Sequence, residues 1–116
     1  MGFYTKQKEF ICPVETTLEL LSGRWKVKIL WKLQKQEPIR FGELKELLQG
    51  ITDKVLTTQL RELEHDGLIG RKTFAEFPPR VEYSLTKFGE SLKLVFDTIA
   101  VWGTEHQKNI LTAIEK

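Results

Sequence analysis

Four polar side chains near the middle of the chain, Lys54, Thr57, Thr58 and Arg61, are spaced so that a helix would carry them along one side. Hydroxyls and long cations in that arrangement suit hydrogen bonding to base edges and phosphates. The surrounding stretch, TDKVLTTQLRELEHDG at residues 52–67, places Leu56, Leu60 and Leu63 on the opposite face at steps of four and three. Thr52 is positioned to cap the first turn, Ile51 to staple onto Leu56, and Gly67 to take the left-handed conformation that closes a helix. By itself the pattern also fits an ordinary solvated surface helix, so the flanking sequence has to discriminate.

Other chemistry-bearing residues are sparse. Cys12 is the single cysteine, which excludes an intrachain disulfide framework. With His65 and His106 as the two histidines, a Cys/His zinc site of usual ligand count cannot form within one chain. There is no paired-carboxylate, nucleophile–base or phosphate-loop motif, and His65 lies among charged residues, so no enzyme, metal or cofactor is expected. Cys12 precedes Pro13 at the start of a helix, with Lys6 and Lys8 close in sequence, a setting in which reactive sensor cysteines occur. The alternative is a small buried apolar residue, a common fate of a free cysteine.

The elements that must position these residues can be read along the 116-residue chain, long enough for one domain and one core. Residues 1–11 form an N-terminal arm whose Phe3, Tyr4 and Phe10 are expected to pack on the body or on a second subunit. Pro13 opens a short helix with Val14, Leu18 and Leu21 as its apolar stripe. A second helix is expected over residues 24–34, with Trp25 and Trp31 as core residues. Residues 38–40 read as an extended link, and 41–48 as a third helix. A glycine-containing turn at 49–51 then leads into the leucine-backed helix, so residues 41–66 carry a helix-turn-helix signature.

After Gly67 the period shortens to two. Residues 69–77 and 80–85 read as strands joined by the stiff Phe77-Pro78-Pro79 loop, giving a basic hairpin with Arg71, Lys72 and Arg80. Thr86 is expected to cap a long helix with Leu92, Val95, Phe96, Ile99 and Trp102 at steps of three and four, broken near Gly103, and residues 107–114 a final helix. A stripe of that length exceeds what one small domain covers, so residues 86–114 are expected to form a homodimer interface. Folding back over its own domain is the competing reading.

Net charge is only +2, but residues 21–60 hold eight Lys or Arg against four Asp or Glu, while residues 89–116 hold three against four. The basic excess therefore sits with the helices that would approach a polyanion. No apolar run reaches transmembrane length and the N-terminus lacks a signal-peptide layout, so a cytoplasmic protein is expected. A basic hairpin directly after a helix-turn-helix is a wing; a winged helix used only for protein–protein contact is the alternative to DNA binding, and a salt-dependent DNA shift would separate the two.

Three segments, CPVETTLELLSGRWKVKILWKL, IRFGELKELLQGITDKVLTTQLRELEHDGLIGRK and PPRVEYSLTKFGESL, occur in order between Cys12 and Trp102 and closely resemble the HxlR-type transcriptional regulators of bacteria. The resemblance implies a mainly α fold with a small β-hairpin (α+β), a winged helix-turn-helix that dimerises through terminal helices. It implies binding to operator DNA, often with repression of neighbouring genes, and in several members a cysteine that senses oxidants or electrophiles. On that reading Lys54, Thr57, Thr58 and Arg61 contact bases and phosphates, while Arg40, Lys72 and Arg80 contact the backbone and the groove beside it. Thr52 and Asp53 depart from the family pattern at the start of that helix, and Asp53 suits a helix N-terminus but opposes a phosphate.

Overall fold

The computed structural model describes residues 12–115, so the expected packing of the arm at residues 1–11 lies outside the described residues. Pro13 starts α1 (Pro13–Leu20), where its missing amide hydrogen leaves no helical bond unmade. Contrary to expectation, Val14 and Leu18 are exposed and only Leu21, just past the helix, joins the core. The eight-residue helix buries none of its own residues.

Helix α2 (Lys26–Lys35) crosses the centre of the molecule, with Ile29, Leu30 and Leu33 buried. The link before the third helix is a strand, β1 (Ile39–Arg40), followed by α3 (Phe41–Leu47) and α4 (Asp53–His65). Two further strands, β2 (Ile69–Phe74) and β3 (Arg80–Leu85), form the hairpin. The sheet is antiparallel in the order β1-β3-β2, with Ile39 opposite Tyr83 and Phe74 opposite Arg80. The first hairpin strand stops three residues short of the expected Phe77, because pairing ends at Phe74 and the loop 75–79 carries two prolines that donate no hydrogen bond. The end of β3 is held by the Glu37 carboxylate, which accepts the Leu85 amide at 2.7 Å.

The long helix expected after Thr86 is divided. Thr86 caps the single-turn α5 (Lys87–Glu90), then the chain tightens at Ser91 and Leu92 before α6 (Lys93–Glu105). The division follows from anchoring at Gly89: a Cβ there would overlap the Leu68 carbonyl oxygen, so only glycine lets α5 sit against the base of the hairpin. The Thr86 hydroxyl donates to the Gly67 carbonyl at 2.6 Å and accepts the Gly89 amide at 3.1 Å, fixing the same approach. No break occurs at Gly103. Helix α6 runs through it to His106, whose ring stacks on Trp102, and α7 (Gln107–Ile114) follows.

The core is built from the inward faces of α2, α3, α4 and the sheet, closed by α6. Here the expected dimer stripe splits in two. Leu92 and Phe96, 8% and 3% exposed, belong to the chain's own core, where Phe96 meets Trp31 edge-on with ring centroids 6.2 Å apart. Their burial corrects their assignment to an interface: α6 must cover the open end of α2, and these two side chains do so. Ile99 and Trp102 remain 57% and 55% exposed, and Val95 is also exposed.

Candidate nucleic-acid interface

Helix α4 is held by its leucines and presents its polar side outward. Leu56, Leu60 and Leu63 are essentially inaccessible, whereas Lys54, Thr58 and Arg61 are exposed and Thr57 is half-buried at the edge. Both ends are defined by local chemistry. The Thr52 hydroxyl accepts the Val55 amide at 3.1 Å. At the far end Gly67, with φ of +80°, lets the Leu68 amide reach the Leu63 carbonyl at 3.0 Å and its own amide reach Glu64 at 3.0 Å, a Schellman closure. Gly50, with φ of +92°, makes the corresponding turn between α3 and α4. The rod is thus fixed in rotation, and its cationic and hydroxyl side chains share one accessible face.

Neighbouring ion pairs shape that face. Lys45 of α3 lies 2.8 Å from Asp53, so the carboxylate that would oppose a phosphate is neutralised from the preceding helix. Sequence spacing gave no hint of this partner, because Lys45 and Asp53 meet only once Gly50 has turned the chain. Lys26 of α2 pairs with Glu62 at 2.9 Å on the flank of α4, which leaves Arg61 as the unpaired cation of that turn among the described residues. Arg40 is exposed just ahead of α3, where its amide donates to Glu43 Oε1 at 3.0 Å.

The hairpin is tied to α4 on one face and self-paired on the other. Arg71 reaches Glu64 of α4 at 3.8 Å and lies opposite Tyr83 in the sheet. Burial pushes the Tyr83 phenol above its ordinary range, and the adjacent Arg71 guanidinium opposes that shift. On the outer face Lys72 is exposed, with its ammonium 5.0 Å from the Phe74 ring centroid. Arg80 does not stand free for backbone contact as expected. Its guanidinium lies 3.8 Å over Phe74, within 3.3 Å of Glu76 and 3.7 Å of Glu82, and its Nε has no hydrogen-bond partner. Two carboxylates and an aromatic ring claim this cation before any phosphate does. Phe77, which the sequence marks only as part of the stiff loop, stands fully in solvent at the hairpin tip.

Cys12 is exposed at the position preceding α1, which overturns the buried alternative. Its carbonyl accepts the Thr16 amide and hydroxyl at 2.9 and 2.7 Å, so the backbone there is fixed while the thiol is accessible. Among the described residues no cluster of His, Cys, Asp and Glu could hold a metal ion, and no helix is long and apolar enough to cross a membrane.

A buried-leucine rod with a polar front, entered through a glycine turn and followed by a hairpin, is a winged helix-turn-helix. The chain belongs to the HxlR-like helix-turn-helix family, whose model matches residues 20–110. It is 46% identical over 99 residues to YdeP of Bacillus subtilis, a helix-turn-helix transcriptional regulator, covering 85% of this chain and 77% of that one. The redox regulator HypR in its reduced form superposes with a TM-score of 0.81 at 37% identity, over 87% of this chain and 99% of that one. The reduced transcriptional regulator YodB of Bacillus subtilis superposes at 0.70 with 35% identity, over 81% and 92% of the two chains. The protein is therefore a transcriptional regulator of the helix-turn-helix type.

Proposed function

We propose that the protein is a homodimeric repressor that binds a pseudo-palindromic operator through two copies of α4. The observation that carries this reading is the outward face of that helix: Lys54, Thr58 and Arg61 are exposed on a rod whose leucine back fixes its orientation. Arg61 and Lys54 contact bases and phosphates, Thr57 and Thr58 add hydroxyl contacts, and Arg40 and Lys72 grip the flanking backbone. Arg80 serves the hairpin's shape instead. A winged helix devoted to protein contact does not account for cationic and hydroxyl side chains gathered on one accessible face of the recognition helix.

Dimerisation is supported by apolar side chains left in solvent. Val14 and Leu18 of α1, Leu94, Val95, Ile99, Val101 and Trp102 of α6, and Leu111 and Ile114 of α7 are all exposed. Burial of such a surface between two copies is favourable at roughly 25 cal/mol per Å² of apolar area. Two-fold symmetry then sets the half-site centres about 34–36 Å apart.

Cys12 is the regulatory group in this reading. A lone accessible cysteine per chain reacts with an oxidant to form a disulfide with the partner's Cys12 or with a small thiol, and HypR and YodB are redox-related regulators of the same fold. Selecting duplexes from a random pool with the purified protein, with and without diamide, tests both parts. A two-fold-related motif is expected, with recovery altered by diamide in wild type and unaltered in Cys12→Ser. Recovery without any shared motif would remove the operator reading, and diamide effects that persist in Cys12→Ser would remove the sensor.

A further inference from the structure

Phe77 is 98% exposed and is the one large apolar side chain the hairpin presents to solvent. Folding gains nothing from a phenyl ring left in water, although burying one is worth roughly 1.5–3 kcal/mol. We propose that Phe77 is an apolar wedge that enters the minor groove beside the α4 site and opens a base step there. The inference rests on the DNA-binding reading and adds to it a contact that none of the cations supplies.

Three features of the hairpin favour DNA as the occupant. First, the tip is presented stiffly: strand pairing runs to Phe74 and Arg80, and Pro78 and Pro79 follow the ring directly, each with a fixed φ. Second, the carboxylate nearest the ring does not stand free against a polyanion. The Glu76 carboxylate is turned back onto Arg80 at 3.3 Å, while Lys72 stays exposed on the same hairpin. Third, β2 follows the recognition helix directly after the Gly67 turn and its Arg71 reaches back to Glu64 at 3.8 Å, so seating α4 in the major groove carries the tip toward the adjacent minor groove. Protein-docking patches are contiguous, and Phe77 has no exposed large apolar neighbour on the hairpin. A lone exposed ring at a stiff tip is instead the form of side chain that unstacks a base step, most easily at flexible pyrimidine–purine steps.

The test uses full-length wild type, Phe77→Ala and Phe77→Trp on a duplex selected by the wild-type protein. 2-Aminopurine is placed in turn at each position flanking the contacted half-sites. Wild type and Phe77→Trp should raise 2-aminopurine fluorescence at one symmetry-related pair of flanking steps, and Phe77→Ala should not. Phe77→Ala should bind about ten-fold more weakly, equivalent to ~1.4 kcal/mol. Its slope of log affinity against log salt should be unchanged, since an apolar contact releases no counterions. Thermal stability should not move, because the ring touches nothing in the fold. Fluorescence that is silent at every flanking position with wild type bound, or equal with Phe77→Ala, overturns the wedge while leaving operator binding intact. Unchanged affinity of Phe77→Ala together with that silence would exclude any contact of the ring with the DNA. A wild type that selects no duplex would instead overturn the DNA-binding reading on which the wedge depends.

Discussion

Asp53 sits at the opening of the recognition helix, where a carboxylate favours the helix dipole but repels phosphate, and the 2.8 Å contact from Lys45 resolves the conflict. Both partners are largely exposed, so the pair adds at most about 1 kcal/mol to stability. Its consequence for binding is larger, because it withholds one cation from the DNA. Asp53→Asn should leave thermal unfolding nearly unchanged, tighten binding to all duplexes alike, and steepen the salt dependence by about one phosphate's worth, a slope change near 0.9. Titrations at several salt concentrations check this, and unchanged slope and affinity would show that Lys45 is not released. Asp97, on α6, gives a pH signature. The Lys93 hydrogen bond at 2.7 Å, aided by Gln34 at 3.1 Å, holds its carboxyl below the ordinary aspartate range. A lowered folded-state value means the stabilisation is present at neutral pH and is lost as pH falls through that lowered value. The acid limb of melting temperature against pH should therefore be shallower in Asp97→Asn than in wild type.

At the scale of elements, the parts with strict periodicity were legible in the sequence. The leucines at 56, 60 and 63, the Thr52 cap and the Gly67 closure specify α4 locally, and the structure places each as the spacing implies. The short helix at 107–114 and the strand at 80–85 were equally plain. What was not legible depended on contacts distant in sequence. Ile39–Arg40 becomes a strand only because β3 offers a free edge, Leu92 and Phe96 turn inward only because α2 needs covering, and Arg80 is captured only because the hairpin brings Glu76 and Glu82 beside it. The break after α5 belongs to the same group, since Gly89 reads as an unremarkable glycine until Leu68 is seen against it. Gly89→Ala should therefore destabilise the fold by about 1–3 kcal/mol, as an overpacked contact against rigid backbone does. Chemical denaturation measures this directly, and a variant as stable as wild type would mean that α5 can shift away at little cost.

At the scale of the whole molecule, two exposed surfaces have to work together: the front of α4, and the apolar side chains of α1, α6 and α7. Ile99→Asp places a charge in the middle of the latter while sparing the monomer's own core. It should shift the protein toward monomer in sedimentation and weaken binding to a full operator far more than to a half-site. A dimer that survives the substitution would place the interface elsewhere. Operator recognition depends on sequence being read by the α4 face, and Arg61 is its most discriminating residue, being exposed and without an ion pair among the described residues. The decisive measurement is the affinity of wild type and Arg61→Ala for the selected operator and for a scrambled duplex of equal length. Arg61→Ala should lose about 1–3 kcal/mol on the operator and much less on the scrambled duplex, narrowing the ratio between them. An unchanged ratio, with both affinities retained, would contradict the assignment of α4 as the element that recognises DNA.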